Sequence, residues 1–308
     1  MGILVIGSFM MDLVVRTGRF PQNGETVIGS NFSKFPGGKG ANQAVAAARL
    51  GADVTMAGKV GSDPFGDEFI VTLKNEGINT ENILCDSKYP TGVGSITLEE
   101  SGNNRIVVVP GANLHYDLQE LNRIKGLIQN AELLIVQLEM DLSMIEQAVA
   151  YASGVQVPVI LNPAPAQKLS ERLLEKVTYL TPNETEVEIL TGIKILTLED
   201  AEIAGKVLLD KGVQNVVITL AEKGSLIVNK NDIIHIPSYK VQPVDTVAAG
   251  DAFNGALAVG IVNKKPLQEA VEFANAVGAL AVTREGAIPS LPNKAEVENF
   301  LIHQNGNQ

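Results

Sequence analysis

Tryptophan is absent from this chain and aromatic residues make up only 5% of it, so its core has to be assembled from Ala, Val, Leu and Ile. Cysteine is almost absent as well. The single Cys85 excludes a disulfide framework and a cysteine-based metal site, and it suits a reducing compartment, the cytoplasm. Three histidines, His115, His235 and His303, lie far apart and in no motif, which argues against a histidine-dependent triad and against a zinc centre. Positive charge is in deficit, with 24 Lys and Arg against 35 Asp and Glu and a formal net charge of -11. Nucleic acid or an anionic membrane would need a basic footprint, so neither is expected as a partner. An anionic small substrate would need a site that is locally positive or lined with backbone N–H groups. No run of 18 apolar residues occurs, and no membrane span is expected. The N-terminal "MGILVIGSFMMD" lacks a basic segment and a small-residue cleavage pattern, so it is read as part of the fold rather than as a leader. Ile6 stands where a myristoylation signal wants Ser or Thr.

What is present suits a sizeable core: 308 residues, 45% hydrophobic and 19% charged, enough for one large domain with a small appendage. Short β-branched runs recur, each followed by a segment of helical period. Ile3 to Ile6 reads as a first strand, and "GANQAVAAARLG" (40–51) as a helix stopped by glycine. "DVTMAGKVG", "ELLIVQLE" (132–139), "VPVILNPAP" (157–165), "VTYL" and "VQNVVITL" read as further strands. "DEFIVTLKNEG", "LSMIEQAVAYA", "LEDAEIAGKVLLDKG" and the segments 248–262 and 267–284 read as helices. Strands alternating with helices predict an α/β fold, a three-layer sandwich with a mostly parallel sheet covered on both faces. Two segments, 13–36 and 91–109, instead show period-2 alternation with Gly-rich turns. They predict a small antiparallel sheet inserted into a single α/β domain spanning 1–308. With one apolar face, such a sheet would cover either an active site, as a lid, or a second subunit. The tail "HQNGNQ" reads as frayed.

Neither GxxxxGK[ST] nor a GxGxxG after the first strand is present, which excludes a Walker-type loop and argues against a Rossmann dinucleotide enzyme. The strongest positive signal is "VDTVAAGDAFNGAL" (244–257). Its small residues lead into a helix, which places free N–H groups and the positive helix end where an anion can approach, beside Asp251. Such a nest can stabilise a transferring phosphoryl group while the carboxylate takes a proton from the attacking hydroxyl. An isolated AGD reads equally as a capped first turn; the longer DTxAAGDxFNGA string favours the site. "PGGKGANQA" (36–44) offers glycines that let backbone lie against a ligand, with Asn42 as donor and acceptor for a polyol. "NPAPA" (162–166) and "TPNETE" (181–186) fall at strand ends, where open α/β sheets bind ligands. Asn183 and Glu186 there fit either a ligand site or a capping arrangement. Glu139 closes a buried strand, and a carboxylate so placed wants a polar partner.

In this order and spacing, GGKGAN, NPAPA, PNETE and DTxAAGDxFNGAL resemble the ribokinase family of sugar kinases, from "GSFMMD" through "TREGAIPSLP". The resemblance implies a large α/β domain with a small β lid that also makes a dimer contact. It also implies ATP-dependent phosphorylation of a sugar's primary hydroxyl, with Mg2+ and K+. Carried over, Asp251 is the base, and Ala249 and Gly250 supply the anion hole. Asp12, Gly38, Lys39, Asn42 and Glu139 hold the sugar. Asn183, Glu186, Thr219, Gly224, Gly250 and Asn275 surround ATP and its magnesium. Asp245, the Val247 carbonyl, Ala281, Arg284, Gly286 and Ser290 form a monovalent-cation site. Ala221 stands where relatives often have Gly. GGKGAN with NPAPA looks like a ribokinase rather than a nucleoside or hexose kinase. A catalytically silent sugar-binding protein is the reading from another class, and the intact Asp251 string argues against it.

One departure carries information. Where ribokinases typically read Gly-Ser-x-Asn-x-Asp, this chain has Gly7, Ser8, Phe9, Met10, Met11 and Asp12. Met10 replaces an amide that helps bind ring hydroxyls with a thioether that cannot donate. A Met here resembles the deoxyribokinase branch, which predicts 2-deoxy-D-ribose as preferred substrate with D-ribose still used. The plainer alternatives are a neutral replacement with water repairing the contact, and a D-ribose-specific enzyme.

Overall fold

Alternation along the first strand already sorts side chains into two layers. Ile3 and Val5 join one core cluster, while Leu4 and Ile6 join another on the opposite face. The computed structural model describes residues 2–101 and 103–305. In chain order its strands are β1 (Ile3–Ile6), β2 (Met10–Thr17), β3 (Asn31–Gly37), β4 (Val54–Gly61), β5 (Asn79–Asp86), β6 (Gly92–Glu99), β7 (Asn104–Val109), β8 (Leu133–Val136), β9 (Val159–Leu161), β10 (Tyr179–Leu180), β11 (Asn215–Thr219), β12 (Ser225–Asn229) and β13 (Ile233–Ile236). The helices are α1 (Lys39–Arg49), α2 (Pro64–Asn75), α3 (Leu118–Arg123), α4 (Lys125–Asn130), α5 (Leu142–Gly154), α6 (Glu171–Leu174), α7 (Glu184–Thr191), α8 (Leu198–Asp210), α9 (Ala249–Val262), α10 (Leu267–Ala281) and α11 (Lys294–Asn305).

Nine strands form the large sheet in the order β13-β12-β11-β10-β9-β8-β1-β4-β5. All neighbours are parallel except β11–β12 and β12–β13. Alanine-rich α1, α9 and α10, with α2 and α11, cover one face, and α3 to α8 cover the other. The expected three-layer α/β architecture is therefore the observed one. Both faces are buried, which is why the central strands are continuously apolar rather than alternating.

The second sheet has the order β3-β2-β6-β7. It corrects the expectation of a wholly antiparallel sheet. β2 runs antiparallel to β3 but parallel to β6, because β4, α2 and β5 carry the chain back to the same end before β6 begins. The small sheet also starts at Met10 rather than 13, so the strand that carries Asp12 belongs to it. Gly102, inside the expected 91–109 segment, lies outside the described residues. Phe32, Ile106, Val107, Val108 and Val109 are all more than half exposed on this sheet.

Other bounds shift. The strand read over 132–139 stops at Val136, leaving Glu139 in the turn before α5. The one read over 157–165 stops at Leu161, and the helix read over 267–284 stops at Ala281. The C-terminal "HQNGNQ" is helical through Asn305 within α11, and 306–308 lie outside the described residues. β1 passes into β2 through only Gly7, Ser8 and Phe9. That crossover is clamped by buried Asn113, which accepts from Phe9 N–H at 2.9 Å and donates to the Phe9 carbonyl at 2.7 Å.

Candidate active site

The carboxyl ends of the central parallel strands and the N-termini of α1 and α9 converge on one point. α9 can approach α1 closely because of Gly255. A Cβ there would lie 2.5 Å from the Ala46 Cβ and 2.8 Å from the Gln43 carbonyl oxygen, distances that no side chain tolerates. One turn earlier sits Asp251, buried to 6% exposure. Its Oδ2 accepts from Asn42 Nδ2 at 2.8 Å and its Oδ1 from Gln43 Nε2 at 2.9 Å. Burial pushes Asp251 above the ordinary carboxylate range, against the pull of Lys39 and these two amide donors, and Glu139 adds to the push. The carboxylate is thus a held proton acceptor with raised proton affinity.

Asp251 opens a helix that no side chain caps. Ala248, the residue before it, has a left-handed backbone at φ 61. The Ala249 N–H turns back to the Thr246 carbonyl at 3.4 Å. At Gly250 a Cβ would meet nothing within 4 Å. An open volume therefore faces the positive end of α9, which fits an anion such as a phosphoryl group.

The sugar-side residues named from the sequence come together. Gly38, at φ 88, holds a turn pressed so close to β2 that a Cβ would lie 2.7 Å from Met10 N. That turn delivers Lys39 and Asn42 on the first turn of α1. Glu139 Oε2 accepts from the Lys39 N–H at 3.0 Å and from Ser8 Oγ at 2.5 Å. Burial disfavours the Lys39 charge, yet Asp251, Glu139 and Glu186 together hold its proton affinity above the usual lysine value. Asn42 Oδ1 is buried with no partner among the described residues, an acceptor waiting for a hydroxyl. Asp12 is pushed by burial, and then by the charge of Glu139, up to about 6.

Met10 and Met11 part company. Met11 is fully buried in the core cluster of the α1 and α9 face. Met10 is only 6% exposed but belongs to neither core cluster. In β2 it shares a face with Asp12, and its partners in register on both neighbouring strands are glycines, Gly37 and Gly92. Nothing covers it with a side chain from those positions.

On the nucleotide side, Asn183 and Glu186 form a capping box at the start of α7. Glu186 N–H donates to Asn183 Oδ1 at 2.9 Å and Asn183 N–H to Glu186 Oε2 at 2.8 Å. The capping reading is thus what their side chains do here. The electrostatics still tie Glu186 to the site. Burial raises its proton affinity, Asn183 and Lys39 oppose this, and Asp251 reinforces it. Thr219 bridges to Asn183 at the end of β11. Gly224 closes the turn into β12, its carbonyl accepting from Leu220 N–H at 2.7 Å. Asn275 is buried and spent on protein. It accepts from Ser225 Oγ at 2.7 Å and donates to the Ile236 carbonyl at 3.2 Å, so it ties α10 to β12 and β13.

The residues assigned to a monovalent cation also converge. Asp245 accepts from Val247 N–H and from Gly286 N–H, both at 3.0 Å, joining the turn before α9 to the loop after α10. Ser290 is buried with Oγ donating to the Ala287 carbonyl at 2.8 Å, and Arg284 N–H donates to the Ala281 carbonyl at 3.2 Å. Arg284's guanidinium turns away to Glu296, so only its backbone can face an ion. Among these residues it is the Asp245 carboxylate, tied to Val247 and Gly286, that could hold a cation. Among the described residues, no group of three or more His, Cys, Asp and Glu side chains could hold a metal.

Sequence reasoning passed over Gln43, Gln137, Thr181 and Asn254, four buried polar side chains around Asp251. Gln43 carried a signal. It lies three residues after Gly40 and four before Ala47, on a helix whose residues from Gly40 to Ala47 are all buried.

Comparison with known proteins gives the family and the fold. Residues 2–294 match the family model described as pfkB family carbohydrate kinase. A ribokinase of Haemophilus influenzae is 41% identical over 98% of both chains. A deoxyribokinase of Salmonella typhi is 37% identical over 98% of this chain and 99% of its own. The Arabidopsis thaliana ribokinase solved with ribose and ATP superposes with a TM-score of 0.92 at 31% identity, covering 97% of this chain and 98% of that one.

Proposed function

The chain belongs to the pfkB family of carbohydrate kinases, and from that premise we propose that it transfers the γ-phosphate of ATP to the 5-hydroxyl of a pentose, preferring 2-deoxy-D-ribose and also using D-ribose. Asp251 takes the proton of the attacking hydroxyl. The N-terminus of α9 at Ala249 and Gly250 faces the charge that develops on the transferring group. Asp12, Asn42, Glu139, Gly38 and Lys39 bind the sugar, which the Arabidopsis relative solved with ribose and ATP supports in kind. Asn183, Glu186, Thr219, Gly224 and Asn275 frame the nucleotide. Bound Mg2+ would neutralise phosphate charge. Asp245, Ser290 and the backbone of Val247, Ala281, Arg284 and Gly286 would hold K+, which would order the turn before α9.

Met10 carries the choice of sugar. It is buried, outside the core, and on the Asp12 face of β2. A thioether there faces a CH2 without loss but leaves a 2-hydroxyl unpaired, at about 1–3 kcal/mol, or roughly 10- to 100-fold. An apolar pocket rejects an added hydroxyl only weakly, so ribose remains a substrate. ADP release with Mg-ATP and potassium, comparing kcat/KM for the two sugars, tests this. Deoxyribose is expected to win by about tenfold, with Met10→Asn shifting preference back. A ribose preference would leave the second reading, a D-ribose-specific enzyme. Two copies joined through the exposed apolar residues of the small sheet would form the dimer, and sedimentation as a monomer at working concentration would overturn that.

A further inference from the structure

Asp251 is joined to the anion-binding backbone through buried side chains that no part of the reaction above has used. Gln43 Nε2 donates to Asp251 Oδ1 at 2.9 Å and to Asn162 Oδ1 at 3.1 Å. Asn162 Nδ2 donates to the Thr181 carbonyl at 3.2 Å. Thr181 Oγ1 donates to Asn254 Oδ1 at 2.7 Å, and Asn254 Nδ2 donates to the Gly250 carbonyl at 2.8 Å. The path leaves the carboxylate, crosses α1, the ends of β9 and β10, and returns to α9 one residue before it began. Every side chain on it is buried, from Gln43 at 0% to Asn162 at 6% exposure.

The amide of Gln43 has no freedom in this ring. Both hydrogens of Nε2 are spent, on Asp251 and Asn162, and its Oε1 accepts from Gln137 Nε2 at 2.7 Å. A flipped amide would set an oxygen against the carboxylate and against Asn162 Oδ1, so Asp251 and Asn162 fix which way Gln43 points. A donor so fixed favours the ionised form of Asp251 over the protonated one. We propose that Gln43 is a positioning residue for phosphoryl transfer: it aims the Asp251 carboxylate and keeps it ionised, and through Asn162, Thr181 and Asn254 it locks the base and the Gly250 backbone into one rigid unit. The inference rests on the reading of Asp251 as the base. The other charges that bear on Asp251 are Lys39 on α1, Glu139 before α5 and Glu186 on α7; Gln43 is the uncharged, fixed donor among them.

The test is the pH dependence of kcat and of sugar KM for Gln43→Leu, Gln43→Glu, Thr181→Val and Asp251→Asn, with thermal melts of each. Gln43→Leu is expected to raise the acid limb of kcat by about one pH unit and to lower its plateau about tenfold, with sugar KM changed by less than about threefold. Gln43→Glu, which keeps the size, raises the limb as well by setting a second carboxylate beside the first. Thr181→Val opens the ring far from the carboxylate and is expected to lower kcat a few-fold with the limb in place. If either Gln43 variant folds and titrates with the wild-type limb, the inference is overturned; should the leucine variant fail to fold, the glutamate variant carries the test. Full turnover in Asp251→Asn overturns instead the assignment of the base. Loss of turnover in Asp251→Asn, with the limb unmoved in the Gln43 variants, sinks only the role of Gln43.

Discussion

The two ends of one short segment, residues 245 to 251, are built in opposite ways. At Asp251 the site is made of side chains. Asn42, Gln43, Thr181, Asn254 and the carboxylate itself are all buried and bonded to one another. At Asp245 to Gly250 it is made of backbone, with Thr246 and Gly250 exposed and Val247 48% exposed. Packing holds the first end. The second is held by two N–H donors on one carboxylate and by the carbonyls around it. Packed side chains keep their geometry without help, whereas an exposed turn is held only by the few bonds that cross it. The cation proposed above would act at the second end, where backbone rather than packing sets the geometry.

Four substitutions would break or sharpen that contrast. Asp251→Asn is expected to leave the fold intact and lower kcat by about 10²–10⁴-fold in an ADP-release assay. Asp245→Ala removes the acceptor of two N–H bonds, and kcat is expected to fall about 10- to 100-fold. The residual rate should no longer respond when potassium is exchanged for a large organic cation, and the melting temperature should hardly move. Gly255→Val acts on the packed end instead. Forcing a side chain between α9 and α1 is expected to cost about 1–3 kcal/mol, lowering the melting temperature about 2–4 °C for each kcal/mol, without altering the potassium response. The smallest effect concerns Asp12. Its carboxyl, pushed up to about 6 by burial and by Glu139, lies above the ordinary aspartate range, so the native state holds the proton more tightly than the unfolded chain. That contribution to stability is complete at the acid end and is lost as pH rises from about 4 to about 6. Asp12→Asn should flatten stability across this window and leave the protein about 1–2 kcal/mol more stable at pH 7 by denaturant unfolding, while weakening sugar binding.

Legibility in the sequence follows the same division. Asp251, Asn42 and Glu139 could be named because chemistry-bearing residues sat in Gly-rich or strand-end contexts, Lys39 only through the family resemblance, and the structure gathers all four. Gln43 escaped because its neighbours in "GANQAVAAA" read as ordinary helix, and only its place on a fully buried helix betrays it. β1 was legible to the residue since an unbroken apolar run ends at a glycine. β12 and β13 were passed over although "SLIVNKNDIIHI" carries a hairpin's turn residues. The parallel pairing of β2 with β6 was not legible at all, since register across 74 intervening residues depends on how β4, α2 and β5 return the chain, not on any local pattern. The capping box at Asn183 and Glu186 shows the reverse case, in which the plain local reading of a motif was correct for the side chains while their charge still reaches the site.

The crossover from β1 to β2 has a mechanical consequence. Gly7 to Phe9, gripped by Asn113, is one of the short spans that join the large sheet to the small one, and Gly38 between β3 and α1 is another. Asp12 and Met10 ride on the small sheet, while Asn42, Glu139 and Asp251 belong to the elements around the large one. If these residues hold the sugar as proposed, any swing of the small sheet would pull apart the two halves of its grip, and a sugar touching both halves would itself be the latch. Under the same reading, Met10 would set how many hydroxyls the moving half can hold.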